Sequence, residues 1–258
     1  MRVRLAATAL VTAAALLLAG CAGGAAPSPS TSSSSKPVAG GDATIVVSGR
    51  SWSHLDIAAP QVTPIKDLLS SIYDSMVRMD PKGNVIPWLA KSWEESADGL
   101  SWTFHLRDGV MFTDGTPFNS EAVKFNIARQ LDPNQRAGEA GNLPKGTTVE
   151  TPDPLTAVFK FTAPDESILS ALASTAIGFM ASPTAIQKFG NQYGLNPVGT
   201  GPFMFDKQVI GQSLHLVKNP KYWVKGEPYL NSVTYQVLGS ADSALQTLKS
   251  GGAEIMNY

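Results

Sequence analysis

Residues 98–126 read DGLSWTFHLRDGVMFTDGTPFNSEAVKFN, a stretch dense in turn chemistry and in two distinct periodicities. Three Asp-Gly pairs, Asp98-Gly99, Asp108-Gly109 and Asp114-Gly115, punctuate its short apolar runs, and such dipeptides suit the positive φ that tight turns demand. Between the first two turns Trp102, Phe104 and Leu106 alternate with Ser101, Thr103, His105 and Arg107, the two-residue period of a strand buried on one face. After Thr116-Pro117, Asn119 is placed to cap a helix. Glu121 sits in that helix's first turn, and Val123, Ile127 and Leu131 recur at four-residue spacing. Two strands and a helix are therefore expected across the stretch.

Farther along, Gly199-Thr200-Gly201-Pro202-Phe203 precedes Gly211-Gln212-Ser213-Leu214 and Lys218-Asn219-Pro220-Lys221-Tyr222-Trp223. Together with Thr103-Phe104-His105-Leu106-Arg107, Asp108-Gly109-Val110-Met111-Phe112, Asp114-Gly115-Thr116-Pro117-Phe118 and Val123-Lys124-Phe125, these segments resemble the extracellular solute-binding proteins of peptide and nickel ABC importers, solute-binding family 5. That family's usual order is a DG turn, a Thr-Phe-x-Leu-Arg strand, DGVxF, DGTPF, a helix with Val-Lys-Phe, then GTGPY and RNPxYW segments. The resemblance covers most of the chain after residue 44.

It implies a mixed α/β (α+β) fold that is periplasmic-binding-protein-like, of type II and cluster C. Residues 44–76 and 177–258 would build an incomplete first α/β lobe, and residues 77–176 a small α+β lobe. Family members continue past a strand such as the one expected at Ala253-Glu254-Ile255-Met256, so the second, ligand-clamping lobe is expected to be absent from these residues. The implied function is capture of a peptide or a similar small solute for a membrane permease and its ATPase, by a monomeric receptor without a cofactor. A truncated or split copy with impaired binding is the alternative, since closing a cleft by a hinge requires two lobes. The motifs themselves serve folding, because Asp-Gly turns and aromatic strand residues are what a compact lobe needs.

The amino terminus supports export independently. Arg2 and Arg4 precede an apolar run over residues 5–19 that is short for a membrane span. The run ends in Leu18-Ala19-Gly20-Cys21, which resembles a bacterial lipobox, so residues 1–20 read as a lipoprotein signal peptide and Cys21 as the lipidated residue. Cys21 is the chain's one cysteine, which leaves it no internal disulfide partner. Two acyl chains would anchor firmly, since burial contributes roughly 0.8 kcal/mol per methylene and one chain alone is marginal. Residues 21–43, rich in Gly, Ser and Pro, read as a tether between that anchor and the folded body. With a formal net charge of −1, 43% hydrophobic and 16% charged residues, the body is an ordinary globular composition. No basic stripe points to nucleic acid.

Candidate site residues lie after the first expected strand, Thr44-Ile45-Val46-Val47. In the family the following loop carries a Leu-Asp-Pro element at the ligand cleft. Leu55-Asp56 matches it, with Ile57 in place of the proline. The resemblance thus points to Arg50, Ser51, Trp52, Ser53, His54 and Leu55 as ligand-binding residues, Trp52 as a ring contact. Leu68, Leu69, Ile72, Tyr73 and Met76 then make an apolar helical stripe. Ser53, His54 and Asp56 include the residue types of a hydrolase triad, a remote alternative because sequence neighbours rarely meet in that geometry. His105 and His215 fall on polar sides of alternating strands, and no His or Cys pair has zinc spacing, so neither a metal site nor a catalytic residue is expected.

Overall fold

The computed structural model describes residues 37–49, 51–60 and 65–257. The signal segment, Cys21, most of the tether and Arg50 lie outside the described residues. In chain order the elements are β1 (Asp42–Ser48), α1 (Lys66–Leu69), β2 (Val77–Met79), β3 (Val85–Pro87), β4 (Ala90–Glu95), β5 (Ser101–Leu106), α2 (Ser120–Leu131), β6 (Thr148–Asp153), β7 (Thr156–Lys160), α3 (Ile168–Ser174), α4 (Pro183–Phe189), β8 (Phe203–Val209), β9 (Ser213–Lys218), β10 (Ser232–Leu238), α5 (Ala241–Lys249) and β11 (Ile255–Asn257). They form a five-stranded sheet ordered β11-β1-β10-β9-β8, a two-stranded sheet β2-β3 and a four-stranded sheet β4-β5-β7-β6. Among the described residues no helix is long and apolar enough to cross a membrane.

In the four-stranded sheet β5 carries the expected alternation, burying Trp102, Phe104 and Leu106 and leaving Ser101, Thr103 and His105 half-buried. Its antiparallel neighbours set Trp93 and Ala157 opposite Phe104, and Phe104 meets Phe159 of β7 edge to face at 5.1 Å between ring centroids. Ala122, Val123 and Ile127 of α2 join the same apolar cluster, because positions three and four apart share one side of a helix. Asn119 caps α2 by accepting from the Ala122 N–H at 3.0 Å, which satisfies an amide the helix leaves unpaired. Leu131, in the helix's last turn, is exposed.

The second strand expected within residues 98–126 does not form. Residues 111–117 instead make a tight loop with a single bridge between Met111 and Pro117. The Asp114 carboxylate accepts from the Thr116 N–H at 2.9 Å and from its hydroxyl at 2.6 Å. A side chain that bonds its own turn competes with a ladder, and Gly115 supplies the left-handed residue at φ 84°.

β1 is an inner strand of the five-stranded sheet, parallel to β10 on one side and to β11 on the other. Covered on both faces, it reads as a continuous apolar run. Val47 packs with Leu214, Leu216, Val233 and Tyr235, and Val46 packs with Ala244 of α5 and Ala253. The pairs β10–β9 and β9–β8 are antiparallel.

The apolar stripe expected as one helix is broken. α1 ends at Leu69, and the Ile72 and Tyr73 amides both return to the Leu69 carbonyl at 2.9 Å. The cause is the segment 199–203, whose Gly201 N–H donates to Ile72 O at 2.9 Å and whose Phe203 N–H donates to Ser71 O at 3.0 Å. A continued helix would have used those carbonyls internally. Leu68, Leu69, Ile72, Tyr73 and Met76 are still all buried. The close passage also explains two glycines, since a Cβ would stand 2.2 Å from Ile72 O at Gly199 and 2.6 Å from it at Gly201.

Candidate functional site

The parallel strands end together. Ser48 of β1 pairs with Leu238 of β10, and Val47 pairs with Asn257 of β11, so three carboxyl ends form one rim, with β1 flanked on both sides. In open α/β sheets such a rim is where ligands bind. β9 runs the other way, which brings its first residue, Ser213, opposite Gln236. The β8–β9 turn is held at the same rim by the Val237 N–H, which donates to Gln212 O at 2.7 Å. The segment after β1 reaches that turn as well, because Trp52 Nε1 donates to Gln208 Oε1 at 3.1 Å.

The residues expected to bind differ in what they can offer. Arg50 lies outside the described residues. Ser51 and Ser53 are exposed. Trp52 is only 4% exposed and belongs to the apolar cluster beneath the sheet, so its ring is packed inside the protein where a free contact was expected. Leu55 is fully buried, and its backbone is spent: its N–H donates to Gly194 O at 2.7 Å and its carbonyl accepts from the Tyr73 hydroxyl at 2.9 Å. His54 is half-buried, with no partner for Nδ1.

Beyond Leu55 the loop is clamped residue by residue. Asp56 Oδ1 accepts from Arg129 NH1 at 2.7 Å and from the Ala58 N–H at 3.0 Å, while Oδ2 accepts from Arg129 NH2 at 2.5 Å. Gln130 Nε2 donates to Ile57 O at 3.1 Å, and the Gly138 N–H donates to Ala59 O at 3.2 Å. The Tyr73 and Tyr193 hydroxyls lie 3.0 Å apart behind the loop, and burial pushes both phenols up from their ordinary value, keeping them neutral. A cavity of about 360 Å³ opens beside this stretch, lined by His54, Asp56, Arg129 and Gln135 among others. Sequence reading placed α2 and its cap but missed Arg129 and Gln130, because their partners lie 73 positions away.

The triad reading of Ser53, His54 and Asp56 does not match this geometry, since both Asp56 oxygens are engaged by Arg129. His105 Nε2 lies 3.7 Å from Glu94 and His215 Nδ1 lies 2.9 Å from Asp206, both as pairs on strand surfaces. Among the described residues no group of three or more His, Cys, Asp or Glu could hold a metal ion.

Residues 84–258 match the family profile described as bacterial extracellular solute-binding proteins, family 5 Middle. The chain belongs to family 5 of the bacterial extracellular solute-binding proteins. It is 31% identical over 210 residues to the glutathione-binding protein GsiB of Shigella flexneri, a match that covers 81% of this chain and 41% of that protein. The GsiB of Escherichia coli strain K12 matches at 30% over the same coverage. The chain thus spans less than half the length of these curated relatives. Among solved structures, AgaA from A. tumefaciens R10 in complex with agropinic acid superposes with TM-score 0.78 at 30% identity, over 84% of this chain and 44% of AgaA. The oligopeptide-binding protein AppA from Bacillus subtilis, in complex with a nonapeptide, gives TM-score 0.76 at 27% identity, over 86% of this chain and 45% of AppA. The fold is accordingly a mixed α/β, periplasmic-binding-protein-like one covering about half of such chains.

Two of the segments that carried the family-5 resemblance converge on a buried carboxylate that sequence reading missed. Asp74 is fully buried. Its Oδ1 accepts from Trp88 Nε1 at 2.7 Å, Arg78 NH2 at 2.9 Å and the Tyr222 hydroxyl at 3.1 Å, and its Oδ2 accepts from Trp223 Nε1 at 2.8 Å and the Thr200 hydroxyl at 3.2 Å. Burial pushes the Asp74 carboxyl up from the usual range, and the indole, phenol and guanidinium donors restrain that rise. The Gly199-Thr200-Gly201 segment and the Asn219 to Trp223 segment therefore meet at one acceptor. Asn219 adds a second tie through Nδ2 to Gly201 O at 2.9 Å.

Proposed function

We propose that this chain is the solute-capturing component of an ABC importer, taking up peptides or a similar small solute outside the cell membrane and delivering it to a permease and its ATPase. The observation that carries this reading is the rim where the carboxyl ends of β1, β10 and β11 align beside exposed Ser51 and Ser53. Glutathione, in the name of GsiB, and the nonapeptide held by AppA are both peptides, which supports that solute class. Ser51, Ser53 and His54, with Arg50, are proposed to meet the solute, while Trp52 and Leu55 shape the loop from within. Residues 44–76 and 177–258 would form the first lobe of a type II, cluster C binding protein, and residues 77–176 its small companion lobe.

The test is a thermal melt of the protein from residue 21 to 258 against defined di- to nonapeptides. A peptide at a hundred times its Kd is expected to stabilise by about 2.7 kcal/mol, a rise of several degrees. A melt unmoved by every peptide at millimolar concentration overturns peptide capture by these residues.

Residues 1–20 are proposed as the removed signal, Cys21 as the acylated anchor, residues 21–43 as the tether, and the working form as a monomer on the extracytoplasmic face of the cell membrane. Detergent extraction from the native membrane followed by peptide mass mapping should find Cys21 as the first residue, carrying acyl groups. An unmodified Cys21 thiol would end the lipid-anchor proposal.

A further inference from the structure

The β8–β9 turn combines features that a purely structural turn does not need. Its tip, Val209-Ile210-Gly211-Gln212, closes with the Gln212 N–H donating to Val209 O at 2.9 Å, and Gly211 takes φ 69°. Two β-branched residues stand at this tip in place of the polar residues that turns favour, and Val209 is 52% and Ile210 54% exposed. Two adjacent apolar side chains presented to water run against local sequence preference, and such conflicts concentrate at functional positions. Their location is specific. The turn is held to the rim by the Val237 amide and joined to the post-β1 segment through the Trp52–Gln208 bond. Gln208 Nε2, beside that bond, is shielded from solvent and has no partner, whereas the buried indole N–H of Trp52 is satisfied by Gln208 Oε1.

We propose that Val209 and Ile210 form the apolar wall of the solute site, packing against a hydrophobic group of the solute and so biasing the protein toward solutes that carry one. This rests on the reading of the rim as the solute site. The occupant is the solute itself, because the tip shares its rim with the exposed Ser51 and Ser53 and is tied to the packed Trp52 through Gln208.

The experiment titrates trialanine and Ala-Leu-Ala into the protein from residue 21 to 258 and into the double variant Val209→Ser, Ile210→Ser by calorimetry. The wild type is expected to prefer Ala-Leu-Ala by about fivefold, the scale of partly burying one leucine side chain. The double variant should lose that preference while holding trialanine within about twofold of wild type. A preference that survives in the variant, or an equal loss for both peptides, overturns the proposal and leaves the rim reading standing. Failure of the wild type to bind either peptide overturns the peptide reading beneath it, and the proposal with it. Should the double variant melt early, Ile210→Thr, which keeps the β-branched shape and leaves Val209 in place, serves instead, with the preference expected to fall to about twofold.

Discussion

Asp74→Ala is expected to destabilise the folded body by about 3–5 kcal/mol, the scale for removing one partner of a buried, charge-assisted cluster. For a chain of this size that corresponds to a fall in Tm of roughly 10 °C. The reason is what is left behind: the indole N–H groups of Trp88 and Trp223 and the hydroxyl of Tyr222 all point at the lost oxygens, and an indole can only donate. Arg78 suffers less, since its side chain is 35% exposed and rests over the Trp88 ring. Asp74→Asn keeps the shape and one acceptor, but its amide N–H₂ would face either Trp223 or Trp88, so a smaller loss of about 2–3 kcal/mol is expected. Urea unfolding read by tryptophan fluorescence measures both, because Trp88 and Trp223 lie edge to face at 4.9 Å beside the site. Two variants both within about 0.5 kcal/mol of wild type, the range of ordinary surface changes, would show that the carboxylate is not the tie described.

Arg129→Ala should cost about 2–3 kcal/mol, because the Asp56 carboxylate would keep only the Ala58 amide. The pair is shielded, with side-chain exposures of 13% for Arg129 and 17% for Asp56, but it borders a cavity that lets water reach the orphaned carboxylate. Burial alone would lower the guanidinium's pKa, and the bonds and charge of Asp56 more than offset it. A double-mutant cycle of Arg129→Gln with Asp56→Asn is expected to give a coupling of about 2 kcal/mol; a coupling near zero would mean that the loop holds without the pair. The consequence reaches the proposed solute contacts. Residues 51–54 hang between β1 and the clamped stretch 55–59, so loosening the clamp should also accelerate amide exchange in residues 51–56 beyond the change in global stability.

Much of the fold was legible because it is written in local chemistry. The alternation over Ser101 to Leu106 sets β5, Asn119 and the four-residue spacing set α2, and the β-branched run after the tether sets β1. Each depends on neighbours within one helical turn or one strand, so composition and period suffice. The candidate site was legible only to the level of a segment. That the loop after β1 mattered came from resemblance, yet which of its residues face solvent is decided by Trp52 turning inward to Gln208 and Leu55 surrendering its backbone to Gly194 and Tyr73.

The Asp-Gly turns, strand β5, helix α2, strand β1 and the family thus follow from local sequence. Long-range packing sets where the apolar stripe after residue 65 stops being helical, which residues clamp the loop, and what the motif residues Thr200, Tyr222 and Trp223 are for. The physical reason is separation: these three donors reach Asp74 across 126, 148 and 149 positions. A buried carboxylate is tolerated only when donors converge on it, and no local pattern in the chain records the arrival of these three.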